Sequence, residues 1–211
     1  MLHKTISALV VLAVTASFAT ADDLIPPPWQ RGAEGTTLQV WEFNTSVNPV
    51  PPDLVGNPFG DPFAIIIGSG QGTDQFDPLW LAEDAQHVGV WRTEGYVALW
   101  LPNAPIPRQW KWIWLQITYN AGNDYSPLIL SDPPYMTSEL VYSSDAGGGY
   151  KHDTYSIIIE ENPVGEAVIM LPPFCALYVD EIVVDTWCVP EPAAVALISL
   201  GGVFLLRRRR R

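Results

Sequence analysis

Trp110, Trp112 and Trp114 occupy every second position at the start of the segment Trp110–Tyr119. In an extended strand such residues share one face, with successive indoles about 7 Å apart. A strip of that kind could stack successive sugar rings, because each ring offers an apolar C–H face to an aromatic plane. The same row would fill an inter-sheet core equally well, so exposure decides between glycan binding and a structural role. Acid–base chemistry has less to stand on. Beyond the first residues only His87 and His152 remain, in no metal-ligand spacing, and the chain holds no Gly-x-Ser-x-Gly elbow, His-Glu-x-x-His pair or phosphate loop. The neighbouring acids Glu83-Asp84 and Glu160-Glu161 point to opposite faces of a strand, so adjacency does not make either a glycosidase pair. Catalysis is therefore not expected.

The elements that would carry these residues read as strands. Trp, Tyr, Val, Ile and Thr are frequent, and nearly every apolar run is short and bounded by proline or glycine. Expected strands are Thr37–Phe43, Ala64–Ile67, Val88–Arg92, Tyr96–Leu101, Lys111–Tyr119, Glu139–Ser143, Tyr155–Glu160, Ala167–Leu171 and Leu177–Thr186. No amphipathic helix is evident. The pattern predicts an all-β fold, a single β-sandwich of jelly-roll type, with a closed barrel as the competing arrangement. In the last strand Leu177, Val179, Glu181, Val183 and Asp185 are expected to alternate with Tyr178, Asp180, Ile182, Val184 and Thr186. Asn48–Asp61, with four prolines, reads as a stiff extended connection, and Asp145–Gly149 as a turn. The opening Leu24–Trp29 reads as a polyproline-like arm laid across the sandwich with Trp29 as its anchor.

Both ends look like processing segments. Lys4, the apolar stretch Ile6–Phe18 and Ala19-Thr20-Ala21 form a secretory signal peptide, residues 1–21, with Ala19 and Ala21 as the small residues at the cleavage site. At the other end Val189-Pro190-Glu191-Pro192 precedes an uncharged run, 193–206, and five arginines, 207–211. Fourteen residues of helix span about 21 Å, short of the ~30 Å hydrocarbon core, so this is a marginal transmembrane anchor. Arg207, Arg208 and their neighbours stay on the cytoplasmic side by the positive-inside rule, which leaves the body outside. The body, 22–188, keeps 22 of the 23 acids and five of the 11 basic residues once Lys4, Glu191 and the terminal arginines are set aside, a net charge of −17. Such a surface repels a phosphate polymer, which argues against nucleic acid as a partner.

Cys175 and Cys188 would sit in an oxidising compartment, which favours a bridge. A continuous strand between them would separate their Cα atoms by on the order of 40 Å, against roughly 4.4–6.8 Å for a disulfide. Strand and bridge exclude each other unless a sharp turn falls near Asp180-Glu181.

The succession of these three features in residues 189–211 resembles the PEP-CTERM sorting signal. That resemblance implies recognition of Val189-Pro190-Glu191-Pro192 by an exosortase-like membrane protease, after delivery by the general secretion machinery and transient anchoring in the inner membrane. Cleavage there would release the body to the cell surface or extracellular matrix. The closing segment Tyr178–Val184 loosely resembles the end of jelly-roll carbohydrate-binding modules, which implies polysaccharide as a ligand and Asp180 as a contributor to a structural calcium site. No other cofactor is expected. The sequence thus predicts an exported, non-catalytic protein of adhesion or polysaccharide association, with a ligand-free structural matrix protein and a secreted glycan hydrolase as alternatives. Replacing Pro190, Glu191 and Pro192 with alanine should leave the protein uncleaved in the membrane fraction, and fractionation of cells expressing that variant checks it.

Overall fold

The computed structural model describes residues 23–70, 77–104, 110–122, 125–160, 163–172 and 176–189. Twelve strands form in order: β1 Thr36–Trp41, β2 Leu54–Gly56, β3 Phe63–Ile67, β4 Leu79–Asp84, β5 His87–Thr93 and β6 Tyr96–Pro102. They continue as β7 Trp110–Asn120, β8 Leu128–Asp132, β9 Thr137–Gly147, β10 Tyr150–Glu160, β11 Gly165–Leu171 and β12 Leu177–Val189. Among the described residues the fold is all-β, with two antiparallel sheets. The larger runs β2-β1-β12-β7-β10-β9, with β5 alongside β1 on the same edge of β12 and β4 beyond β5. The smaller runs β3-β6-β11-β8.

Alternation decides what lies between the sheets. Ile113, Leu115, Ile117 and Tyr119 of β7 meet Tyr155, Ile157 and Ile159 of β10 and Ile182 and Val184 of β12 in one buried cluster. The small sheet contributes Ala64, Ile66, Val97, Leu99, Leu101, Ile129, Val168 and Met170 to the same cluster. Each is a β-branched or otherwise apolar residue at every second position, as a half-buried strand requires.

Four expectations need correction. The segment expected as an unstructured connection, Asn48–Asp61, contains β2, whose three exposed residues pair with Leu38–Val40 at the sheet margin, next to Pro51 and Pro52. The strands β4 and β8 are edge strands absent from the expected set. Their apolar runs are short because each lacks a partner on one side. Asp145 to Gly147 belongs to β9, and the turn narrows to Gly148-Gly149. Gly148 has φ 59°, and a Cβ there would fall 2.5 Å from the Ala85 carbonyl oxygen, so only glycine lets this turn touch the β4–β5 turn.

The fourth correction concerns β12. Its pairing with β7 shifts by one residue between Val179 and Glu181, leaving Asp180 as a bulge. Before it Leu177 and Val179 face the core; after it Ile182 and Val184 do. The unbroken alternation expected from Leu177 to Thr186 is therefore two phases joined at Asp180. β12 continues to Val189, and Cys188 is buried near its end. Cys175, the helix expected at 193–206 and the signal peptide lie outside the described residues.

Candidate functional site on the outer face of the large sheet

The side chains of Trp110, Trp112 and Trp114 stand on the face of β7 opposite Ile113, Leu115 and Ile117, hence outside the inter-sheet core. Register sets their neighbours. Trp112 lies between Trp187 of β12 and Ile158 of β10, Trp114 between Asp185 and Ser156, and Trp110 between Val189 and Glu160. Trp112 and Trp187 stack at 6.5 Å between ring centroids, and Trp112 Nε1 donates to Ser156 Oγ at 2.8 Å.

The chain's own beginning crosses this face. Ile25 N donates to Gln116 Oε1 at 3.0 Å, Trp114 Nε1 donates to the Ile25 carbonyl at 2.8 Å, and Gln116 Nε2 donates to Asp23 Oδ1 at 2.8 Å. Pro26, Pro27 and Pro28 then carry the chain onward with no N–H to satisfy, and Trp29 settles among the other indoles. Its ring lies 5.2 Å from Trp112, 6.0 Å from Trp187 and, edge-on, 6.4 Å from Trp114. Tilted and edge-to-face contacts of this kind are favoured by the ring quadrupoles. The three indoles of the strip differ accordingly. Trp114 is 8% exposed, Trp112 is half-buried, and Trp110, beyond the arm, is 38% exposed.

Arg31 locks the arm. Its Nε and Nη2 donate to the two carboxylate oxygens of Asp185 at 2.7 and 2.6 Å, and it also contacts both oxygens of Asp23. This fork geometry is what a planar guanidinium provides and an ammonium does not. The two acids respond differently. Burial pushes the Asp23 carboxyl up, but hydrogen bonds from Arg31 and Gln116 and the Arg31 charge outweigh it and hold it below the ordinary range. Asp185 is more deeply buried, and there burial wins over Arg31 and leaves the carboxyl raised. Two carboxylates raise Arg31 itself against the opposing effect of burial.

Asp180, the residue expected at a calcium site, occupies the bulge and bonds through Oδ2 to His87 Nδ1 at 2.7 Å. The His87 ring stacks on Tyr150 at 3.9 Å, and Tyr150 donates to Asp84 Oδ2 at 2.7 Å. Burial first, and then that Asp84 bond, pushes the Tyr150 phenol up. Among the described residues no group of three or more His, Cys, Asp or Glu is arranged to hold a metal ion. Val189 ends β12, whereas Pro190, Glu191, Pro192, Arg207, Arg208, Ala19 and Ala21 lie outside the described residues.

Sequence reasoning did not find Arg31, Asp23 and Asp185 as a unit. The available signal was a lone arginine just past a tryptophan-tipped arm, in a body with only five basic residues. The chain matches no protein-family model, no curated protein and no solved structure.

Arg31→Ala should destabilise the fold by about 2 kcal/mol at neutral pH, less than for a fully buried pair because the guanidinium is partly exposed. The loss should shrink as pH falls through the raised Asp185 value, since a protonated Asp185 no longer lacks a counter-charge. Urea unfolding of both proteins at neutral and acidic pH measures it.

Proposed function

We propose that this chain is an exported cell-surface or matrix protein, released from the inner membrane by an exosortase-type protease, that associates with polysaccharide without catalysis. The export half rests on the signal-like start and the Pro-Glu-Pro, apolar and arginine tail. For the body, one observation carries the reading: Trp41 and Trp91 fill the core, but Trp29, Trp110, Trp112, Trp114 and Trp187 gather on the outer face of the large sheet, with Trp110 left open at the end of the row. A jelly-roll arrangement fits the strand order. β1-β12-β7-β10 in one sheet and β6-β11-β8 in the other interleave the first and last strands as two Greek keys do.

Trp110 is the ring that a sugar can reach, flanked by the exposed Glu160 carboxylate as a hydroxyl acceptor. Trp112 and Trp114 support it from beneath the arm. The covering by Trp29 also favours a second reading, a ligand-free structural protein in which the indole cluster serves only to pin the arm.

The two readings part at one residue. Trp110→Ala should reduce retention on an insoluble glycan roughly three- to tenfold, the equivalent of a lost stacking contact, with little change in Tm. Trp112→Ala should instead lower Tm, because it removes the ring on which Trp29 and Trp187 pack. Glycan pull-down with thermal melts of both variants checks this, and absence of glycan retention by the wild type would leave the structural reading.

A further inference from the structure

Lys111 is on β7, but its side chain points inward, away from the indole row, and is fully buried. It ends in a buried polar cluster between the two sheets. Glu166 of β11 is also fully buried there, and Asn103, just past β6, is 3% exposed. Lys111 Nζ donates to Asn103 Oδ1 and lies 3.5 Å from Glu166 Oε1 and 3.6 Å from Cys188 Sγ. Asn103 Nδ2 in turn donates to Glu166 Oε2 and, at 2.9 Å, to the Pro163 carbonyl. The Asn103 backbone N–H is held by Val164 O at 2.9 Å. An amine, a carboxamide and a carboxyl are thus in mutual contact, excluded from water and unable to turn away.

As a plain ion pair this arrangement is costly, since both charges are stripped of water and share only one amide for compensation. As a reaction centre it is complete. We propose that the folded chain joins Lys111 to Asn103 by an amide bond between Nζ and Cγ, with the Glu166 carboxyl carrying the proton. The neutral Lys111 amine adds to Asn103 Cγ, forming the Nζ–Cγ bond and moving the carbonyl electron pair onto Oδ1. The Nζ proton passes through the Glu166 carboxyl to Nδ2. Collapse of the tetrahedral centre restores the C=O bond, breaks Cγ–Nδ2 and expels ammonia. The proton that Glu166 first took from the resting Lys111 ammonium leaves with the ammonia as ammonium, so Glu166 ends as it began, and nothing is oxidised or reduced.

Two properties favour the step. Fixed contact between the reacting groups replaces a bimolecular encounter, the source of large effective molarities. Burial pushes the Glu166 carboxyl above the ordinary range, with Lys111 and Asn103 offsetting it only in part, so the carboxyl can hold the proton that the amine gives up. The product exchanges a buried ammonium for a neutral amide and ties β6 of the small sheet to β7 of the large one.

Peptide mapping of the purified full chain, denatured and digested with trypsin, tests this directly. Cleavage should fail at Lys111, and the segment Thr93–Arg108 should remain joined to Gln109–Lys151, about 17 Da lighter than the two combined through loss of ammonia. In Asn103→Ala and Glu166→Gln proteins the two segments should separate and Lys111 should be cleaved. A wild type cleaved at Lys111 with Asn103 intact, or with Asn103 converted to Asp and Lys111 unmodified, would overturn the bond. Linkage in Glu166→Gln equal to that of the wild type would overturn the role of Glu166. The wild-type map decides the first question even where a variant does not fold.

Discussion

The pairing of β12 with β7 is the constraint on which the rest of the molecule depends. From Tyr178 opposite Asn120 to Val189 opposite Trp110, these two strands form the spine of the large sheet, and one register sets several neighbourhoods at once. It puts Trp187 beside Trp112, Asp185 beside Trp114 and Cys188 beside Lys111. A slip of one residue would turn every side chain of β12 to the other face, moving Ile182 and Val184 out of the core and Asp185 into it. The bulge at Asp180 absorbs the single residue that would otherwise force that slip, and its hydrogen bond to His87 anchors it.

Both faces of this spine carry buried polar groups, and each is matched by chemistry suited to it. On the outer face Asp185 has the guanidinium fork of Arg31. Toward the inner side Asp153, fully buried on β10, accepts hydroxyls from Tyr119, Ser126 and Tyr155 on Oδ2 and from Ser143 on Oδ1. Burial and this carboxylate together push the Tyr119 and Tyr155 phenols up, so both remain donors throughout the neutral range. Hydroxyl donors satisfy the carboxylate without adding charge, whereas at Asp185 a counter-ion is used where the arm must be held down.

The strand content and the two faces of β7 were legible in the sequence because alternation in Trp110–Tyr119 is uninterrupted and because tryptophan and isoleucine mark its two sides. The phase change at Asp180 was legible in principle, since Leu177 and Val179 give way to Ile182 and Val184, but a run of valines and isoleucines accommodates either phase until a partner strand selects one. Edge strands β2, β4 and β8 carried weak signals, half-paired and partly exposed as they are. Asp23, Arg31 and Asp185 could not be grouped from sequence. Arg31 and Asp185 are 154 residues apart, and only the folded sheet says which acid the arginine meets. The Lys111, Asn103 and Glu166 cluster was hidden for a related reason: charged residues on a strand read as solvated until the opposite sheet closes over them.

The position of the final strand also has a mechanical consequence. β12 is flanked by β7 along one side and by β5 and then β1 along the other, so tension applied at Val189 along the strand runs parallel to its neighbours. Rungs on both flanks then share the load together, as in a lap joint, and cannot be peeled one after another as at a hairpin end. Gly35 accepts from the Cys188 amide near the point of attachment and adds a stop against fraying there. A pull on the described body at Val189 would be resisted chiefly through this one strand.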